Sequence, residues 1–167
     1  INKFKKEVDD YQLVIINQVN NEFNYIFKQI KTKNKNFFLI SGTNTNWNFI
    51  NKQQLQIARN TINQTESYEA VFNSSFLTFT QKDIGFHQFP PLKDKFGDII
   101  ISKEHQILLF QKINGIENKQ PLLVTFEDNS QKSGILFGEG LWKWRVASFL
   151  NTNTFQDFDE FIDNLIQ

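Results

Sequence analysis

Cysteine and methionine are both missing from this 167-residue sequence. The absence of cysteine excludes disulfide bonds, thiolate metal sites and a cysteine nucleophile, although it identifies no cellular compartment. Histidine occurs only at His87 and His105, and neither has a partner at metal-ligand spacing, so we expect no metal site. No apolar run approaches the roughly 20 residues of a membrane-spanning helix.

Neither sign of charge is in excess, because 18 basic residues balance 18 acidic ones. Without a basic stripe, we expect no nucleic-acid partner. The length suits one domain over residues 1–167, and the 19 phenylalanines predict a bulky core. Because the chain opens on Ile1, we expect it to be a piece of a longer protein.

The first forty residues have the pattern of a β-α-β unit. Residues 11–17 form a continuous apolar run, which is typical of a strand buried on both faces. Residues 20–33 carry apolar side chains at helical spacing, with Asn20 as a possible cap. A second apolar run covers residues 37–40 and ends at Ser41-Gly42. This order predicts a parallel pair of strands.

The middle of the chain predicts smaller elements. We expect a helix over 53–62, a half-buried strand over 76–80 and a loop over 87–97, where Pro90 and Pro91 restrict the backbone. Three strands over 98–102, 106–113 and 121–127 should form antiparallel hairpins, since turn signals occur at Asn114-Gly115 and Asn129-Ser130. The last strand is expected over 132–138.

Two helices are predicted at the end of the chain. The first, over 141–150, should bury Trp142, Val146 and Phe149, which are spaced i, i+4, i+7. The second should begin near Thr154, in a sequence resembling a capping box, and its acidic residues should form a solvated face.

Trp142 and Trp144 diverge by about 200° on a helix, so both cannot point straight into one core. We expect Trp142 in the core and Trp144 more exposed. Two interpretations of Trp144 and Arg145 stay open. Either Trp144 covers a helix–sheet edge with Arg145 paired to an acid, or both belong to a contact surface, where Trp and Arg are enriched.

Several signatures follow one another in this chain: YQLVIIN, FFLISGTNTNW, FPPLKDKFG, QILLFQKI, PLLVTFED and GILFGEGLWKWR. Together they resemble the class I glutamine amidotransferase-like domain of large bacterial membrane proteins. The resemblance implies a three-layer α/β fold, flavodoxin-like, with a mostly parallel sheet, helices on both faces and an antiparallel hairpin extension. It also implies a bacterial inner-membrane protein whose domain faces the periplasm.

An active member of that family would carry a cysteine on the turn that reads Ile40-Ser41-Gly42-Thr43 here. Its histidine and glutamate would lie in the segment that reads Phe137-Gly138-Glu139-Gly140. Of these groups only Glu139 is present. Release of ammonia from glutamine needs a thiolate and an imidazole base, so we expect no such activity.

The sequence therefore predicts a catalytically inactive interaction or scaffolding module that needs no cofactor. Its partner would be a protein or neighbouring modules of the same chain, with membrane contact only through segments outside this sequence. The alternative is a hydrolase or small-ligand sensor using the crevice at the strand ends. A histidine beside Ser41 would favour an enzyme, whereas a filled crevice with an exposed aromatic patch would favour the module. The candidate crevice residues are Ser41, Gly42, Thr43, Gly138, Glu139 and Gly140.

Overall fold

A computed structural model describes residues 8–128 and 131–167 of the chain. Four α-helices and seven strands occur in these residues, beside short 3-10 turns. In chain order they are β1 (Leu13–Asn17), α1 (Asn24–Thr32), β2 (Asn36–Ile40), α2 (Trp47–Asn51), β3 (Ile57–Phe72), β4 (Leu92–Ile101), β5 (Gln106–Ile113), β6 (Ile116–Asp128), β7 (Gln131–Leu136), α3 (Trp142–Thr152) and α4 (Gln156–Ile166).

The strands form one mixed sheet in the order β1-β2-β7-β6-β5-β3-β4. β1 pairs with β2 in parallel, with Leu13 opposite Asn36, and β2 pairs with β7 in parallel. The predicted parallel pairing of the first two apolar runs is therefore confirmed. The four remaining ladders are antiparallel, and they join β7, β6, β5, β3 and β4.

The antiparallel part of the sheet curls until its edge strand meets the end of β7. Lys93 of β4 and Glu139, just beyond β7, exchange two backbone hydrogen bonds of 3.1 and 2.9 Å. Irregularities in the β3–β4 and β5–β6 ladders accompany this curl, as bulges that increase local twist do. The sheet consequently has the form of a half-barrel, and its edge strand β4 reaches the end of β7 beside the candidate crevice.

Each face of the sheet carries an aromatic core. On one face, α1 and α2 contribute the buried side chains of Phe27, Ile30, Trp47 and Ile50, which pack against buried residues of the sheet. On the other, α3 and α4 bring Trp144, Phe158 and Phe161 against Phe86 and Phe89 of the segment between β3 and β4. The abundance of phenylalanine thus serves the core, as predicted.

The expected three-layer, mostly parallel fold is wrong. Only two of the six ladders between the described strands are parallel, and the sheet is strongly curled. The β-α-β pattern lies within one short stretch of sequence, and it correctly predicted the parallel pair of β1 and β2. The antiparallel strands and the curl depend on pairings between distant segments, which override local pattern.

Three predicted elements also differ from the structure. The helix over 53–62 is replaced by the start of β3, because pairing with β4 fixes this segment as a strand. The strand over 76–80 is a loop, held to the core by the edge-to-face rings of Phe76 and Phe79 at 4.9 Å. The loop over 87–97 ends early, since β4 begins at Leu92, directly after the prolines. The predicted turn at Asn129-Ser130 lies outside the described residues.

Candidate functional site

The candidate crevice residues come together at the carboxyl ends of the three parallel strands. Gln18 follows β1, Ser41 to Thr43 follow β2, and Gly138 to Gly140 follow β7. Because parallel strands end at the same edge of a sheet, these three segments are neighbours. Among the predicted residues, Thr43 and Glu139 are in direct contact, whereas the Ser41 side chain bonds elsewhere.

The Glu139 carboxylate is the hydrogen-bonding centre of this edge. One of its oxygens accepts bonds from the Thr43 hydroxyl at 2.6 Å and from the Thr43 backbone amide at 3.3 Å. The other accepts a bond from the Gln18 side-chain amide, whose own oxygen accepts from the Asn44 backbone at 3.2 Å. The carboxylate is thus engaged by the protein itself.

Gly42 lies beneath these side chains, and a larger residue there would require Gln18 or Glu139 to shift. A Cβ at this position would lie 3.0 Å from Gln18 Cδ and 3.0 Å from Glu139 Cβ. Such an approach is closer than ordinary van der Waals contact, so the close packing of Gln18 and Glu139 favours glycine here. The strand-end crevice is filled by Gln18, Thr43 and Glu139.

Ser41 points away from this surface into a buried charge pair. Its hydroxyl donates to Asp94 of β4, and it is fully buried. Asp94 in turn accepts a bond from the Arg59 guanidinium of β3, and both charged side chains are completely enclosed. Burial raises the pKa of the Asp94 carboxyl, while Arg59 and the Ser41 hydroxyl oppose that increase.

Aromatic side chains surround the Arg59 guanidinium. Its carbon lies 5.6 Å from the ring centroids of Trp47, Tyr68 and Phe137, within the range of cation–π attraction. Arg59 also donates to the Tyr68 hydroxyl at 3.0 Å. Burial raises the pKa of Tyr68 to about 12, so its hydroxyl stays protonated and donates to the Lys95 carbonyl at 3.2 Å.

Sequence reasoning missed the pair of Arg59 and Asp94. Arg59 fell in the predicted helix over 53–62, and Asp94 fell in the predicted loop over 87–97. The two are brought together by the β3–β4 ladder. Ile57 and Arg59 are two residues apart and are both buried along β3. The sequence does not indicate this burial, because an arginine in a strand usually faces solvent.

The histidines do not complete a catalytic group at this edge. His105 contacts the Lys103 carbonyl at 2.9 Å, and His87 contacts the Gln88 side chain at 3.4 Å. Neither hydrogen-bonds to Ser41, Thr43 or Glu139 within the residues that the structure describes. A serine nucleophile needs an imidazole base within hydrogen-bonding reach, and the Ser41 hydroxyl instead donates to a carboxylate paired with arginine.

The prediction for the two tryptophans of α3 is wrong, because their positions are reversed. Trp144 is completely buried, and its indole N–H donates to the Pro90 carbonyl at 2.8 Å. Trp142 is 69% exposed. The helix packs through Trp144 and the small Ser148, one turn later, which allow a close approach to the core. Val146 and Phe149, also expected in the core, are exposed as well.

Arg145 is paired rather than free. Its guanidinium donates to both Asp159 oxygens, at 2.9 and 3.1 Å, and lies 4.0 Å from the Phe155 ring centroid. The hydrogen bonds from Arg145 hold the pKa of the Asp159 carboxyl below its usual value. The first interpretation of Arg145, a pairing with an acid, is confirmed. Trp144 is buried, so it cannot belong to a contact surface.

No protein-family model and no curated protein matches the chain. Among solved structures, the cytoplasmic protein STM1381 from Salmonella typhimurium LT2 is similar, with a TM-score of 0.57, 16% identity, and coverage of 95% of this chain and 73% of that one. The cytoplasmic protein STM3548 from Salmonella typhimurium has a TM-score of 0.50 and 17% identity, and the match covers 90% of this chain and 72% of that one. A GH42 beta-galactosidase from G. stearothermophilus has a TM-score of 0.50 and 11% identity, and the match covers 95% of this chain and 22% of that one. At such identities the likeness concerns the fold alone.

These findings overturn the resemblance to a class I glutamine amidotransferase-like domain. The sheet is curled and mixed, and the similar structures named above are not described as amidotransferases. The expected inner-membrane, periplasmic location came wholly from that resemblance and is withdrawn with it; the two Salmonella neighbours are described as cytoplasmic proteins. In residues 8–128 and 131–167, no helix combines the length and apolarity needed to cross a bilayer.

Proposed function

We propose that this chain is a non-catalytic interaction module that binds a protein partner through the exposed face of α3. The observation that carries the proposal is the orientation of this helix. Its apolar stripe, which consists of Trp142, Val146, Phe149 and Leu150, is exposed, with Phe149 stacked on one side against the Phe155 ring at 4.6 Å. An amphipathic helix normally turns such a stripe inward, so an outward stripe favours a binding surface.

The stripe is too large to be a scattered set of exposed residues. Its four side chains are between 39% and 73% exposed. Together they present on the order of 400 Å² of apolar surface, the size of the largest patch on a typical monomer, which is often functional. Trp142 and Leu150 contribute most, and large aromatic residues are the commonest anchors of binding energy.

The size of the stripe favours a different protein over a second copy of this chain. A stable interface buries about 800 Å² on each partner, roughly twice the area that one stripe would contribute if two copies met stripe to stripe. A groove that encloses the helix would bury more. Lys143 places its ammonium 5.8 Å from the Trp142 ring, at the border of the stripe. The fitting partner therefore presents an apolar groove bordered by carboxylates.

The filled strand-end crevice supports a module rather than an enzyme. The polar groups of Thr43 and Glu139 already bond to each other, and Ser41 has no imidazole base. A reaction at this edge would first have to break those contacts.

The proposal is tested by placing a photo-crosslinking residue at Trp142 and, as a control, at Ile116. Ile116 is an equally exposed apolar residue, 71% accessible, in the β5–β6 hairpin. We expect a crosslink to one protein from position 142 alone. The affinity of that purified protein should fall at least about tenfold in Trp142→Ala, which corresponds to 1.4 kcal/mol, and stay unchanged in Ile116→Ala. Crosslinks mainly to a second copy, or equal affinity in both variants, would contradict the proposal.

A further inference from the structure

A cavity of about 400 Å³ lies at the opposite end of the parallel strands from the filled crevice. Leu13, Asn36 and Lys132, at or next to the first residues of β1, β2 and β7, line it, and the last turn of α4 closes one side. This volume is within the range of small-molecule sites, about 300–1,000 Å³.

Part of the cavity lining is apolar. Phe38 lies on the sheet, while Phe79 and Leu165 contribute walls from the loop after β3 and from α4. Gly134 makes this surface possible, because a Cβ there would lie 2.8 Å from the Phe38 ring. The Thr78 and Thr125 hydroxyls bond to each other at 3.1 Å, so they place no unsatisfied polar group beside a ligand. This part fits an aromatic or branched aliphatic group.

The mouth of the cavity carries one charge of each sign. Glu127 of β6 and Lys132 of β7 are directly opposite in the ladder, and both are exposed. Neither forms an ion pair with any residue that the structure describes. The side-chain oxygen of Asn36 accepts a hydrogen bond from the Lys132 backbone amide at 2.8 Å. The side-chain NH2 group of Asn36 is left available to a ligand.

We propose that this cavity binds a free amino acid with an apolar side chain. Glu127 would hold the α-ammonium group, Lys132 and the Asn36 amide would hold the α-carboxylate, and the side chain would enter the apolar part. A simple carboxylic acid or a simple amine satisfies only one of the two charges. This site is separate from α3 and does not depend on the proposed partner.

Calorimetric titration with L-phenylalanine and L-leucine tests the proposal on the wild-type protein. We expect saturable binding of at least one of them below about 10 mM. 3-Phenylpropionate, which lacks the ammonium group, and 2-phenylethylamine, which lacks the carboxylate, should bind at least about tenfold more weakly than L-phenylalanine.

Variants at the mouth separate this site from binding elsewhere. Lys132→Gln and Glu127→Gln should each weaken binding at least about tenfold. Lys28→Gln and Glu22→Gln remove the same charges at exposed positions outside the cavity and should leave it unchanged. Thr78→Phe, on an exposed loop, should obstruct the cavity. Absence of binding of both amino acids, or binding that is insensitive to Lys132→Gln and Glu127→Gln, would overturn the proposal.

Discussion

At the scale of single residues, the enclosed charges of Arg59 and Asp94 connect three parts of the molecule. Asp94 bonds to Ser41 at the end of β2, and Arg59 reaches Tyr68 further along β3. Removing charges from water is costly, and mutual attraction offsets that cost only while both partners and their hydrogen bonds are present. The pair therefore makes folding sensitive to loss of either member.

Asp94→Ala should destabilise the protein by about 3–5 kcal/mol, since it leaves the Arg59 charge buried without its partner. The double variant Arg59→Met, Asp94→Leu should recover most of that loss, because it removes both charges and retains volume. Urea unfolding of the single and double variants measures both effects. A single variant as stable as wild type would show that the charge of Arg59 finds water or another partner.

At the scale of elements, α3 shows why an apolar spacing does not fix which side of a helix is buried. Trp142, Val146 and Phe149 form a regular stripe, yet the helix packs through Trp144 and Ser148. The Trp144 ring lies 5.6 Å from Phe89 and 5.9 Å from Phe86, and its N–H bonds to Pro90. These contacts come from a loop far away in sequence, so local periodicity could not reveal them.

The orientation of α3 predicts unequal effects of two matched substitutions. Trp144→Ala should lose about 3–5 kcal/mol, the usual loss for a buried large aromatic side chain. Trp142→Ala should stay within about 0.5 kcal/mol of wild type, as exposed substitutions do. Thermal and denaturant unfolding of both variants compare them directly. The opposite ranking would contradict the orientation described here.

At the scale of the whole molecule, closure of the curled sheet depends on a close contact between β3 and β4. Gly97 of β4 lies so near the Asn60 carbonyl that an added Cβ would be 2.0 Å from its oxygen. A backbone carbonyl held in a strand ladder cannot move aside easily. The same strand carries Asp94 to Arg59 and Lys93 to Glu139, so this contact also positions the strand-end residues.

Gly97→Ala should therefore destabilise the protein by at least about 1–3 kcal/mol, the usual loss when a well-packed position is overfilled. Gly115→Ala is a comparison at a turn where an added Cβ meets nothing within 4 Å, although its φ of 81° adds some strain. Chemical unfolding of both variants should rank Gly97→Ala as the less stable. The reverse ranking would mean that β4 can move away from β3.

The sequence predicted the parts of this molecule that local pattern determines. The apolar runs at 11–17 and 37–40 became a parallel pair, and β5 was placed at its observed bounds. The curl was not predictable, because it depends on the Lys93–Glu139 pairing and on Gly97. For the same reason the buried pair of Arg59 and Asp94 was missed.

Acrylamide quenching of tryptophan fluorescence measures whether the α3 stripe faces outward. The protein has three tryptophans, of which Trp47 and Trp144 are buried and Trp142 is 69% exposed. We predict that acrylamide readily quenches one accessible fraction of the wild-type fluorescence. This fraction should disappear in Trp142→Phe and remain in Trp144→Phe. An accessible fraction that survives Trp142→Phe and is lost in Trp144→Phe would contradict the account.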